Sequence, residues 1–175
     1  MAQTLSLNLV HLVFSTKNRK PLISEEIGSG LHAYLASTSR RLDCDCFRVG
    51  GVQDHVHPAL RLAATRTSAR VVSEIKTFSS VWMKEQGVGG FAWQSGYGLF
   101  SVEPADLGAL MQYIDAQRKR HAKRSFQDEM RGFCEKYHVA IDERYAWDYA
   151  CVGPWIDVSG LQPSGSFALI PRPSA

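Results

Sequence analysis

No run in the sequence approaches the roughly 20 apolar residues a membrane-spanning helix requires, and no GxxxxGK[ST] or other nucleotide-cradling motif is found. The first absence argues against a membrane partner, the second against a nucleotide cofactor. The opening stretch, MAQTLSLNLVHLVFSTKNRK, has neither a basic start nor a small-residue cleavage site. No secretory leader is expected from it, and a cytoplasmic location follows by default. Cysteine is scarce: Cys44, Cys46, Cys134 and Cys151 are all there is. One residue separates Cys44 from Cys46 and no matching pair follows, so zinc-knuckle spacing is absent and reduced thiols are expected. Nor does charge of one sign dominate. Lys plus Arg number 20 against 17 Asp plus Glu, a net +3 that permits a polyanionic partner without demanding one.

What is present suffices for one core. Of the 175 residues, 45% are hydrophobic, and a single domain is expected. Residues 5–16 read as a strand, and the segment after Ser24 as a helix with Ile27, Leu31 and Leu35 on one side. CDCFRVGGVQ and DHVHPALRL read as two further strands able to pair antiparallel. Residues 68–86 form a second amphipathic helix through Val71, Val72, Ile75, Phe78 and Trp82, and residues 97–102 a last strand. A third helix runs through EPADLGALMQYIDAQRKRHAK with Pro104 near its start, and a fourth, capped by Ser125, through SFQDEMRGFCEKYHV. Beyond Asp148 come Pro154, Pro163, Pro171 and Pro173 among Gly and Ser, which predict an irregular tail over 149–175 after a domain of 1–148. The order predicts an α+β, ferredoxin-like split βαβ sandwich. Its antiparallel sheet would carry two helices on one face, leave the other free to meet something, and continue into a helical extension.

The chemistry begins at GGVQDHVHPALRL. Alternate residues of a strand share a face, so His55 and His57 project together while Val56 turns to the core. Two neutral imidazoles make half a site for a divalent metal, although H-x-H alone more often marks a chance surface pair. Asp54 either orients a ligand imidazole or ends a turn. On the third helix Tyr113 and Gln117, four residues apart, face the same way. The phenol is an oxygen nucleophile and the amide oxygen a possible third ligand. Arg118, Lys119, Arg120, Lys123 and Arg124 follow as a dense basic patch, placed to meet DNA phosphates. Lys17, Arg19 and Lys20 are read the same way. His121, eight residues beyond Tyr113, looks too distant to be its direct partner. Two histidines, an amide oxygen and open coordination positions suit a metal that polarises a phosphodiester while Tyr113 attacks.

Six stretches, in order, carry a resemblance: LVFSTKNRKPLI, GGVQDHVH, EIKTFSSVWMKE, WQSGYGLFSV, YIDAQRKRHAKRSFQDEM and YHVAIDERYAWD. Over about residues 5–148 the chain resembles the small HUH-type, single-tyrosine transposases of bacterial insertion sequences (the IS200-like family), including those associated with repetitive extragenic palindromes. The resemblance implies His55, His57 and Gln117 as ligands of Mg²⁺ or Mn²⁺. Tyr113 is implied as the nucleophile that takes the 5′ phosphate of cleaved single-stranded DNA, hairpin DNA as the partner, and a homodimer whose sites pair histidines of one subunit with the tyrosine helix of the other. One departure stands out. Pro58 follows HVH where the family usually has an apolar residue, and a proline on an inner strand is expected to bend it or shift His57. That keeps a second reading open, a hairpin-DNA-binding relative without catalysis.

Overall fold

The computed structural model describes residues 5–147; the tail expected over 149–175 and Cys151 lie outside them. Four antiparallel strands form one sheet in the order β2-β3-β1-β4. They are β1 (Asn8–Ser15), β2 (Asp45–Gly51), β3 (His55–Leu62) and β4 (Gly98–Ser101). Helix α1 (Glu25–Arg41) bridges β1 and β2, and α2 (Ser68–Glu85) bridges β3 and β4, which is the split βαβ order. Each helix starts where a hydroxyl can satisfy a free amide: Ser24 accepts from Ile27 N and Thr67 from Arg70 N.

The inner strands β1 and β3 bury both their faces, so one face must find a use other than the main core. Val10, Leu12 and Phe14 of β1, with Val56 and Leu60 of β3, pack under α1 and α2 against Leu31, Leu35, Val71, Val72 and Ile75. The alternate residues His11, Val13, Ser15, His55, His57 and Ala59 point the other way. That second face, expected to be free, is closed over by the C-terminal helical segments. Phe100 and Val13 pack there with Phe126 and Trp147, alongside Met130, Phe133 and Tyr137. The polar residues of β1 and β3 are thereby sealed between sheet and helices. Among the described residues Cys44, Cys46 and Cys134 are free thiols.

The third helix of the sequence reading is in fact two. After a single turn over Pro104–Asp106 comes α3 (Leu107–Asp115), and then α4 (Gln117–His121), with Ala116 between them at φ −87°, ψ 5°. They are followed by α5 (Phe126–Lys136), capped by Ser125 through Asp128 N, and by the short α6 (Glu143–Ala146). Helix α3 lies directly on the end of β2. A side chain at Gly50 would place its Cβ 2.7 Å from Ile114 Cγ2 and 2.8 Å from the Ile114 carbonyl oxygen. Since Gly50 pairs with His57, this close approach brings the Tyr113 helix beside the histidine strand.

Pro58 sits on an inner strand, opposite Val49 of β2. The paired positions His11–Ala59 and Phe14–Val56 flank it on the β1 side, and the register is the same on both sides. On the other edge the register shifts between Cys46 and Arg48 of β2, opposite Leu60 and Ala59. The expected bend therefore does not carry His57 out of line.

Candidate active site

Five elements meet on the closed face of the sheet. Strand β3 supplies His55 and His57, β1 supplies His11, α3 and α4 supply Tyr113, Gln117 and His121, and α5 supplies Glu129. His55, His57, Gln117 and Glu129 are almost wholly buried. Such a concentration of polar groups is costly unless each has a partner or a ligand.

Hydrogen bonds to the outer ring nitrogens fix which atoms face inward. His55 Nδ1 lies 2.6 Å from Asp54 Oδ1, and a carboxylate only accepts, so in the neutral ring Nδ1 carries the proton and Nε2 a lone pair. His121 Nδ1 is 3.0 Å from the carbonyl oxygen of Arg124, which fixes its tautomer the same way. The two bare Nε2 atoms then stand 3.0 Å apart. Glu129 Oε2, another acceptor, lies 3.1 Å from His121 Nε2, 3.4 Å from His57 Nε2 and 4.0 Å from His55 Nε2. His57 Nε2 makes no hydrogen bond, and neither does the buried Oε1 of Gln117.

Lone pairs facing one another at these distances repel unless a cation sits among them. With metal–donor bonds of about 2.0–2.2 Å, adjacent donors around one ion fall roughly 3–3.5 Å apart. The ligand atoms of His55, His57, His121 and Glu129 all lie within 4.8 Å of one another. The donor set therefore fits a divalent cation, and Asp54 holds one ligand ring from behind.

Burial sets the protonation states. It pulls His57 down to about 4, outweighing the raising effect of Glu129, and pulls His11 down to about 3, with His57 adding to it. His11 Nε2 is 2.9 Å from His57 Nδ1, so a neutral ring backs that ligand. Burial works to raise Glu129, but the adjacent His121 and His57 rings and then the Tyr113 hydroxyl outweigh it and hold the group an anion. Burial likewise works to raise Asp54, and the His55 hydrogen bond overrides it. Tyr113 moves the opposite way: burial, then its hydrogen bond to Glu129, pushes the phenol well above its usual value.

Tyr113 donates its hydroxyl hydrogen to Glu129 Oε1, whose other oxygen faces the histidines. Its ring stands 6.1 Å from that of His57, and the Arg120 guanidinium lies 4.3 Å over it. Gln117 Nε2 reaches the same Glu129 Oε1 at 3.4 Å. Tyr113, His55, His57, Gln117 and Asp54 thus converge within one chain. The basic residues are less uniform. Arg19, Arg118 and Arg124 line one cavity beside the site. Arg118 pairs with Glu25 at 3.0 Å and Arg124 donates to the Asp128 carbonyl. Lys17, Lys20, Lys119 and Lys123 are exposed.

Three members were not found from sequence. His121 continues the 113–117–121 spacing of one helix face, and that period was the available signal. Glu129 lies on the apolar stripe of α5 between Phe126 and Phe133, where a carboxylate needs a reason. His11 is the lone ionisable residue in the run LVHLVF.

Comparison with known proteins agrees with this fold. No curated protein matches the chain. A solved structure from Deinococcus radiodurans, assigned as a transposase, superposes with a TM-score of 0.53 at 22% identity, covering 67% of this chain and 95% of that one. A REP-associated tyrosine transposase bound to a REP hairpin superposes with a TM-score of 0.51 at 15% identity, covering 69% and 74%. At such identities these two speak for the fold. The family profile described as "Transposase IS200 like" matches residues 4–117, well over half of the sequence, and the chain belongs to that family.

Proposed function

We propose that this chain is a metal-dependent enzyme of the cytoplasm that cleaves and rejoins single-stranded, hairpin-bearing DNA through a phosphotyrosine at Tyr113. The observation that carries the reading is the double role of Glu129: one oxygen accepts from the Tyr113 hydroxyl and the other faces three imidazole nitrogens. Nucleophile and cation site are thereby joined by a single carboxylate. The hairpin held by the REP-associated neighbour supports the choice of substrate.

His55, His57, His121 and Glu129 would hold the cation, with the unpartnered Oε1 of Gln117 as a further donor. When bound, Mn²⁺ or Mg²⁺ supplies charge neutralisation and polarisation of the scissile phosphate. Three imidazoles favour Mn²⁺ of the two, because Mg²⁺ prefers oxygen donors. Tyr113 Oη forms a bond to phosphorus as the P–O3′ bond breaks. The phenolic proton passes to the Glu129 carboxylate, and the departing 3′ oxygen takes a proton from water. Because the phosphotyrosine is itself a phosphodiester, a 3′ hydroxyl can later reverse the exchange without a nucleotide cofactor.

Arg120 covers the Tyr113 ring, and Lys17, Arg19, Lys20, Arg118, Lys119, Lys123 and Arg124 supply phosphate contacts. Residues 1–148 form the unit that acts. The resemblance implies a homodimer, and each subunit would keep a site built from its own chain. A denaturing gel tests the reading. Wild-type protein with Mn²⁺ and a hairpin oligonucleotide is expected to give a covalent 5′ adduct that Tyr113→Phe abolishes. Hairpin binding without any adduct would instead mark a non-catalytic relative, and cleavage that survives Tyr113→Phe a water-using phosphodiesterase.

A further inference from the structure

Strand β1 sends one polar residue, His11, to the edge of the cation site, where it is neither one of the four converging ligands nor the nucleophile. It is 2% exposed and sits on an inner strand, paired with Ala59 on one side and Phe100 on the other. Rings surround it. Phe133 meets it edge-on at 5.1 Å, Tyr113 stands at 6.0 Å, and His57 stacks on it at 5.1 Å. A phenylalanine or leucine would fill such a place without burying a polar group, so an imidazole there needs a hydrogen-bonding reason.

That reason is His57, whose two ring nitrogens have opposite tasks. Nε2 faces Glu129 Oε2 at 3.4 Å and makes no hydrogen bond, while Nδ1 lies 2.9 Å from His11 Nε2. A neutral imidazole carries one proton. For Nε2 to offer a lone pair to a metal, that proton must sit on Nδ1, and His11 Nε2 must accept it. With the bond reversed and His11 donating, the His57 proton would stand on Nε2, in the place of the cation. His57 is therefore a ligand only in the pairing in which His11 accepts.

The choice of an imidazole as acceptor also has a physical ground. His55 is backed by a carboxylate, Asp54, at 2.6 Å. Asp54 and Glu129 together already balance the charge of a divalent cation. A carboxylate at position 11 would bring a third negative charge into the same buried space, whereas an imidazole accepts the proton and adds none.

We propose that His11 is a positioning residue: by accepting the Nδ1 proton of His57 it fixes the tautomer and the ring orientation in which His57 binds the cation. The assignment rests on the cation site of the reading above and not on its phosphotyrosine.

Two substitutions separate this role from packing. His11→Phe keeps an aromatic ring against Phe133 but has no acceptor, and His11→Gln gives up the ring but carries an amide oxygen on a chain of similar reach. Titration calorimetry of Mn²⁺ into chelator-treated, full-length protein is expected to show affinity weaker by roughly 10-fold or more in His11→Phe, the usual effect of losing a ligand's hydrogen-bond partner. His11→Gln is expected to restore most of it. A packing role predicts the reverse order. Wild-type protein supplies a second measurement that no folding defect touches. Loaded with Zn²⁺, a diamagnetic ion that imidazoles bind well, it is expected to show a ¹⁵N–¹⁵N scalar coupling across the hydrogen bond from His57 Nδ1 to His11 Nε2. Equal Mn²⁺ affinity in wild type and His11→Phe, failure of His11→Gln to restore binding, or absence of that coupling overturns the role of His11 and leaves the cation site standing. No Mn²⁺ binding by wild type overturns both. A His11-dependent affinity without any covalent adduct upholds both and removes only Tyr113 as nucleophile.

Discussion

Glu129 is the residue on which the site turns, and its charge matters more than its shape. Glu129→Gln keeps the volume and a donor–acceptor pair but removes the anion that three imidazoles surround. Loss of a ligand charge is expected to weaken Mn²⁺ binding by at least about 10-fold, as the loss of even a supporting partner does, read by titration calorimetry on chelator-treated protein. Acid should act on the same groups. In metal-free protein His57 and His11 titrate near 4 and 3, below the ordinary 6.5, because burial disfavours their charged forms. The unfolded chain therefore binds protons that the native chain refuses. Stability is full above about pH 6.5 and falls as pH drops toward 4, by up to about 1.4 kcal/mol per pH unit for each histidine. Urea melts across that window check this, and a midpoint flat between pH 6.5 and 4 would contradict it. At this scale the sequence singled out His55, His57, Tyr113, Gln117 and Asp54, which the fold brings together, because strand alternation and helical spacing put each beside a partner. It did not reveal Glu129, since the Ser125 cap is equally compatible with a solvent-facing glutamate. Asp128 takes the cap, as the spacing from Ser125 suggests, and only packing shows that Glu129 turns inward.

Most elements follow from periodicity, and the break at Ala116 does not. QYIDAQRKRH contains neither Gly nor Pro, and alanine is the strongest helix former. At the interruption Gln117 is buried beside the candidate cation site while the next residues are exposed. Close packing of α3 on β2 is the other element-scale feature, and Gly50 permits it. Gly50→Ala would force a methyl against the Ile114 side chain and carbonyl oxygen. Overpacking of this kind costs about 1–3 kcal/mol, which lowers the melting temperature. Because Ile114 lies between Tyr113 and Gln117 in the chain, its displacement should also weaken Mn²⁺ binding and slow adduct formation. Normal stability together with normal adduct yield in Gly50→Ala would show that this contact does not set the helix position.

For the whole molecule, the sequence conveys a split βαβ sheet but not that its second face is closed. Closure depends on the apolar stripe of α5 and on Trp147, packed against a strand some 100 residues earlier, and no local pattern reports a contact at that separation. The same closure bears on how many chains one site needs. A composite site would leave the histidines of one subunit waiting for a tyrosine from another. Here Tyr113 and His57 already meet across one carboxylate of the same chain. Two inactive variants distinguish these arrangements. Tyr113→Phe lacks the nucleophile and His57→Ala lacks a ligand. If sites are shared, mixing the two proteins regenerates one intact site in each mixed dimer and restores up to about a quarter of wild-type adduct at equal mixing, since half the dimers are mixed and each has one good site of two. A site formed within each chain gives no recovery at any ratio, because no subunit then has both groups. The expected outcome is no adduct above the level of either variant alone, and recovery that rises with the mixed-dimer fraction would assign the tyrosine to the partner.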